Sequence, residues 1–76
     1  MHHIDQAIGD EVRAARHRRR QRQADLARLL DITPMTFSRK ETGKVPFTAR
    51  ELSVIAETLH LPVADLYPNH VPTPAA

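Results

Sequence analysis

The sequence contains no cysteine and no tryptophan, and only two glycines, one tyrosine and two phenylalanines. Without cysteine there is no disulfide framework, no thiol nucleophile and no thiolate zinc site. That absence fits a reducing cytoplasm. No apolar run approaches the roughly 18 residues that a membrane span needs. The N-terminus has no apolar h-region, so no signal peptide is read there. A Gly-rich phosphate loop is missing, and His17, His60 and His70 are scattered rather than gathered with carboxylates at metal spacing. The expectation is no catalytic residue, no metal and no cofactor. Met1-His2-His3 could chelate copper or nickel through a free amine, but a frayed terminus is the simpler reading.

What is present is a chain of 76 residues with an uneven distribution of charge. That length makes one small domain, which buries only about 60% of its unfolded surface. The net charge is +2, yet residues 13–44 hold ten of the eleven Lys and Arg against three acids, a local net of +7. Residues 1–12 carry −3 and residues 45–76 carry −2. A solvated helix face explains a charge run equally well by itself. A basic patch on a binding element attracts phosphate and releases condensed counterions.

The spacing of apolar residues is helical throughout, with no strand pattern and no internal repeat. A first helix is expected from Asp5, as N-cap, to Arg19 or Arg20, with Ile4, Ile8, Val12 and Ala15 on one face. Gly9 interrupts it and costs up to about 1 kcal/mol relative to alanine, which suggests a close backbone contact. A second helix should cover Gln23 to Leu30, although Arg22 is a poor N-cap. A third should run from about 34 to 41. Thr33 caps it, Pro34 takes the first position where its missing N–H costs nothing, Phe37 anchors it, and Gly43 stops it. The fourth has the clearest start, a T-x-x-E capping box at Thr48 and Glu51 with a Phe47–Leu52 staple. Leu52, Ile55, Ala56 and Leu59 form its buried stripe, and His60 follows as cap. A short closing helix is expected at Val63 to Leu66. Residues 1–4 read as a flexible N-terminus, 5–67 as the domain and 68–76 as a disordered Pro-rich tail. The fold class is all-α, a compact bundle of five short helices in which the second and third form a helix-turn-helix.

The residues from Ile8 to Tyr67 resemble the lambda-repressor-like (Cro/cI-type, XRE-type) DNA-binding domain. Gln23-Ala24-Asp25-Leu26-Ala27 looks like the family's Q-x-x-L-A second helix. Leu30-Asp31-Ile32-Thr33 stands where the family has an L-G-V-S turn, and Phe37-Ser38-Arg39-Lys40-Glu41-Thr42-Gly43-Lys44 is similar to I-S-R-x-E-x-G-x. Ile8-Gly9-x-x-Val12-Arg13 with Arg16, and Leu52-x-x-Ile55-Ala56-x-x-Leu59 with Leu61-x-Val63-x-x-Leu66, match the flanking helices. Asp31, Arg20 and His60 replace glycines, and Gln21 and Lys40 replace apolar residues. Lys40 is expected along the core edge with its amine in water.

The resemblance implies a sequence-specific regulator, a bacterial or phage-encoded repressor acting in the cytoplasm, that inserts its third helix into the major groove of double-stranded DNA. By position, Pro34, Met35, Thr36, Ser38 and Arg39 are the base-reading candidates. Arg39 is foremost, because a guanidinium can grip guanine O6 and N7. Arg22, Gln23, Thr33, Thr42 and Lys44 are the backbone-contact candidates. Arg16 and Glu41 are implied as a structural ion pair tying the first helix to the end of the third. A homodimer on a palindromic operator is implied, with its interface in the region of the last two helices and Tyr67. One alternative is an antitoxin-type module that neutralises a protein partner, its tail folding on binding, and that autoregulates its operon; a second is a helical module that has kept the fold and lost DNA binding.

Overall fold

The computed structural model describes residues 3–68. Met1 and His2, read as part of a frayed terminus, and the tail from 69 to 76 lie outside the described residues. The elements in chain order are α1 (His3–Arg18), α2 (Gln23–Leu29), α3 (Pro34–Glu41), α4 (Ala49–Thr58) and a single 3₁₀ turn (Val63–Leu66). No strand occurs among the described residues.

The core is built from one stripe of each helix. Ile8, Val12 and Ala15 come from α1, Leu26 and Ala27 from α2, Phe37 from α3, and Leu52, Ile55 and Ala56 from α4. Leu30, Leu59 and Leu66 close it from the helix ends and the 3₁₀ turn. Phe37 lies at the centre and meets the ring of Phe47 edge-on, with centroids 5.7 Å apart. The α2 and α3 helices pack on each other, α1 packs across α3, and the 3₁₀ turn packs on both α1 and α4.

The first helix ends at Arg18 rather than at Arg19 or Arg20, and three further differences from the sequence expectation concern boundaries or helix type. The first helix starts at His3 rather than at Asp5, so His3 and Ile4 are helical and Asp5 lies in the first turn. Ile4 consequently extends beyond the core and is 47% exposed; the apolar face expected of α1 is buried only from Ile8 onward. The second helix ends at Leu29, with Leu30 as its C-cap. The closing helix is one 3₁₀ turn, in which Leu66 alone is buried.

The α-helices share one way of ending. The residue just past each C-cap adopts positive φ: Arg20 at 55°, Asp31 at 58°, Gly43 at 81° and His60 at 57°. The next N–H returns to the third-last helical carbonyl: Gln21 to Arg16, Ile32 to Ala27, Lys44 to Arg39 and Leu61 to Ala56. This is the Schellman arrangement, which satisfies the orphan carbonyls of a helix end. Only one of the four positions is glycine. The others hold side chains in a conformation that L-residues adopt at a cost of roughly 1 kcal/mol or more, least for aspartate.

Both glycines lie where α1 crosses the end of α3. A Cβ on Gly9 would overlap the Glu41 carbonyl oxygen and come within 2.7 Å of its carbon. A Cβ on Gly43 would stand 2.7 Å from the Cα of Gln6. Gly9→Ala should therefore destabilise the domain by about 1–3 kcal/mol, because overlap with a backbone outweighs the gain in helix propensity. Denaturant unfolding checks this; a higher midpoint would mean that α1 and α3 can separate freely.

Candidate nucleic-acid interface

The α2–turn–α3 unit presents its second helix outward. Thr33 caps α3: its Oγ1 accepts from the Thr36 N–H at 3.1 Å and lies 3.0 Å from the Thr36 hydroxyl oxygen. Pro34 occupies the first turn. Phe37 and Lys40 face inward, so the opposite side of α3 is free. Pro34, Met35 and Arg39 are exposed there, with Met35 at 67%, while Thr36 and Ser38 are half-buried. The five expected base-reading residues thus fall on one short helix, three of them open to solvent.

The end of α3 is held by a buried carboxylate. Glu41 has no exposed surface. Its Oε2 accepts from Arg16 Nε at 2.8 Å, and its Oε1 accepts from Arg16 Nη2 at 3.2 Å and from Gln23 Nε2 at 2.9 Å. Arg13 Nε stands 3.9 Å away. Arg16 also donates from Nη1 to the Gln21 carbonyl at 2.9 Å. The two charges therefore meet as a forked pair inside the protein, and Gln23 adds α2 to the same carboxylate. One N–H of the Gln23 amide, a group expected to face the DNA backbone, is directed to this internal contact.

A second buried pair ties α3 to α4. Lys40 Nζ donates to Glu51 Oε1 at 2.8 Å and to the Pro46 carbonyl at 3.2 Å, and lies 6.0 Å from the centre of the Phe47 ring. The amine is therefore inside, contrary to the expectation that it reaches water. Glu51 draws it there, because the same oxygen already accepts from the Thr48 N–H at 2.8 Å in the capping box. Burial alone would push the Glu51 carboxyl up, but the hydrogen bonds from Lys40 and the Thr48 N–H prevail and hold it below its ordinary value of 4.5. Every buried side-chain nitrogen and oxygen among the described residues has a hydrogen-bond partner, as interior polar groups require.

The backbone-contact candidates separate into different situations. Thr33 and Lys44 are exposed beside α3. Thr42 donates its hydroxyl back to the carbonyls of Ser38 and Arg39, each at 3.1 Å. In that rotamer the hydroxyl points to the helix carbonyls and helps to close α3. Arg22 is exposed, but its side chain folds onto Asp25. Asp25 also accepts from the Arg22 backbone N–H at 2.9 Å. That bond caps α2 from the third helical position and compensates for an N-cap residue that has no acceptor of its own.

Sequence reasoning missed two of these ion pairs. The Arg22–Asp25 pair carried a signal, since an acid at the third helical position is half of a capping box. The Lys40–Glu51 pair carried none, because its members lie eleven positions apart and meet only after the chain has turned.

A family model described as helix-turn-helix domain matches residues 7–66. The chain belongs to the helix-turn-helix domain family. The two helices of its motif are α2 and α3. The fold is also similar to that of the clp gene regulator ClgR from C. glutamicum, at 23% identity and a TM-score of 0.77, covering 87% of this chain and 86% of that one. ComR from Streptococcus suis is similar at 23% identity and a TM-score of 0.73, over 97% of this chain and 24% of that one. Fe(II)-HppE is similar at 26% identity and a TM-score of 0.75, over 90% of this chain and 35% of that one. The helix-turn-helix domain thus corresponds to a minor part of the latter two proteins. No curated protein sequence matches the chain. Among the described residues no helix is long and apolar enough to cross a membrane, and no three potential ligands are gathered around a metal position.

The depressed Glu51 carboxyl sets an acid limit. A folded-state value below the unfolded one contributes stability that is complete above the ordinary value of 4.5 and is lost as pH falls through the lower folded value. Thermal unfolding followed below neutral pH should show Glu51→Gln losing this part of the acid dependence. An identical pH profile for both proteins would exclude Glu51 as a contributor.

Proposed function

We propose that this domain is a sequence-specific double-stranded DNA-binding transcription regulator, a repressor rather than an enzyme. It acts in the cytoplasm of a bacterium or phage-infected cell and binds as a homodimer on a palindromic operator. The observation that carries the reading is the open face of α3. Pro34, Met35 and Arg39 stand exposed on a helix whose end is fixed by Glu41, within a segment of net charge +7. Rigid support with a free outer face is what reading base edges requires.

The roles follow from chemistry. Arg39 reads a guanine with its planar fork, and Met35 and Pro34 offer apolar contact to a thymine methyl. Lys44 and Thr33 meet phosphates on either side of α3 and set the register without reading sequence. A single domain covers few base pairs, so two copies with half-sites about one helical turn apart supply the specificity. Val63 and Tyr67, 40% and 41% exposed near the end of the domain, are apolar surface available for that pairing.

Selection from random duplexes at moderate salt tests the reading. Recovery of a two-fold symmetric motif is expected, and recovery of no enriched sequence would sink it. Arg39→Ala should lower the preference for the selected site by about 1–3 kcal/mol. Lys44→Ala should weaken all duplexes alike and shallow the salt dependence by about one charge. Equal losses of non-specific affinity in both variants would mean that Arg39 reads no base.

A further inference from the structure

The basic segment from 13 to 44 contains three acids, and the structure puts them to different uses. Glu41 is buried and paired with Arg16. Asp31 is exposed in the turn between α2 and α3. Asp25 lies on the surface of α2 and receives Arg22 three times: the backbone N–H at 2.9 Å and Nε at 3.2 Å on Oδ2, and Nη2 at 3.1 Å on Oδ1. Two edge nitrogens of a guanidinium on the two oxygens of one anion is the geometry with which arginine grips a phosphate. The Arg22 side chain is 79% exposed and that of Asp25 28%, so the pair is open to an incoming anion.

We propose that Asp25 is a specificity-determining residue, an internal competitor that occupies Arg22 in the free domain and yields it only to a closely docked phosphate. The proposal rests on the DNA-binding reading above. A free arginine at this corner would attract any duplex equally. Paired with Asp25, it is withheld from loose encounters, in which phosphates stay distant and screened. Docking of α3 in a matching groove brings a phosphate to contact distance, and the exchange of one anion for another then becomes possible. After the exchange, the Asp25 carboxylate faces that phosphate, and like charges repel. Asp25 therefore weakens binding to every duplex, most of all to those that do not match. The Arg22 side chain, then its backbone N–H, holds the Asp25 carboxyl below the usual carboxylate range. The competing charge is thus present throughout the neutral pH range.

A double-mutant cycle read by fluorescence anisotropy tests this. The probes are a selected operator duplex and a scrambled duplex of the same length. The proteins are wild type, Asp25→Asn, Arg22→Gln, the double variant, and Asp31→Asn as a control for net charge alone. Asparagine keeps an acceptor for the Arg22 N–H, and Asp25→Ser provides a second removal should Asp25→Asn unfold. Asp25→Asn should tighten binding to the scrambled duplex by roughly three- to fivefold. The gain on the operator should be smaller, and the salt dependence should steepen by about one charge. In the Arg22→Gln background, Asp25→Asn should do no more than Asp31→Asn does. An equal gain with and without Arg22, or a gain no larger than that of Asp31→Asn, overturns the proposal. The two readings fail separately: equal wild-type affinity for both duplexes removes the repressor reading, while coupling between residues 22 and 25 is still read on the scrambled duplex.

Discussion

The arrangement depends on one buried carboxylate. Glu41 carries its charge with no exposed surface, and an isolated charge there would not be tolerated. It is tolerated because Arg16 from α1 and Gln23 from α2 direct their donors at it. The requirement is mutual, since removing one partner strands the other. Three helices must therefore converge on one point, and the angle of α3 follows from that convergence. The carbonyl of the same residue abuts Gly9, so side chain and backbone of Glu41 locate α1 together. Its neighbour Lys40 turns the other way and engages Glu51 of α4. Two consecutive residues thus join the end of α3 to each of the remaining helices.

Much of this was legible in the sequence because its signals are local. Thr33-Pro34 and the Thr48–Glu51 box are defined within four residues, and both caps form as read. The apolar spacings of α2 and α4 select the residues that are buried. Less legible was whatever depends on distant partners. Lys40 occupies an apolar position, and nothing near it in sequence says that a carboxylate waits across the loop. Exposure of Ile4 was hidden for a related reason: periodicity gives the face of a helix but not how far its neighbours reach along it. Within the site, position alone could place Thr42, Gln23 and Arg22 beside DNA. Where their donors are already directed is decided only by the folded structure.

Charge serves two separate purposes here. Inside, Arg16, Lys40, Glu41 and Glu51 form pairs whose geometry fixes helix angles. Replacing such pairs by well-packed apolar residues is often neutral for stability, so their contribution lies more in orientation than in strength. Outside, Arg18, Arg19, Arg20, Arg28, Arg39 and Lys44 are exposed and produce the field that an anionic polymer would meet. Asp25 and Arg22 belong to the second group by location but borrow the forked pairing of the first.

The helix ends lead to a different conclusion. The only two glycines both serve the crossing of α1 and α3, which leaves Arg20, Asp31 and His60 to turn through left-handed backbone with side chains attached. All three lie at exposed corners, so the strain sits outside the core packing. The domain therefore stands below the stability that its own backbone path permits. At His60 relief of that strain leaves the basic segment untouched, whereas at Arg20 glycine or asparagine would remove a positive charge from it.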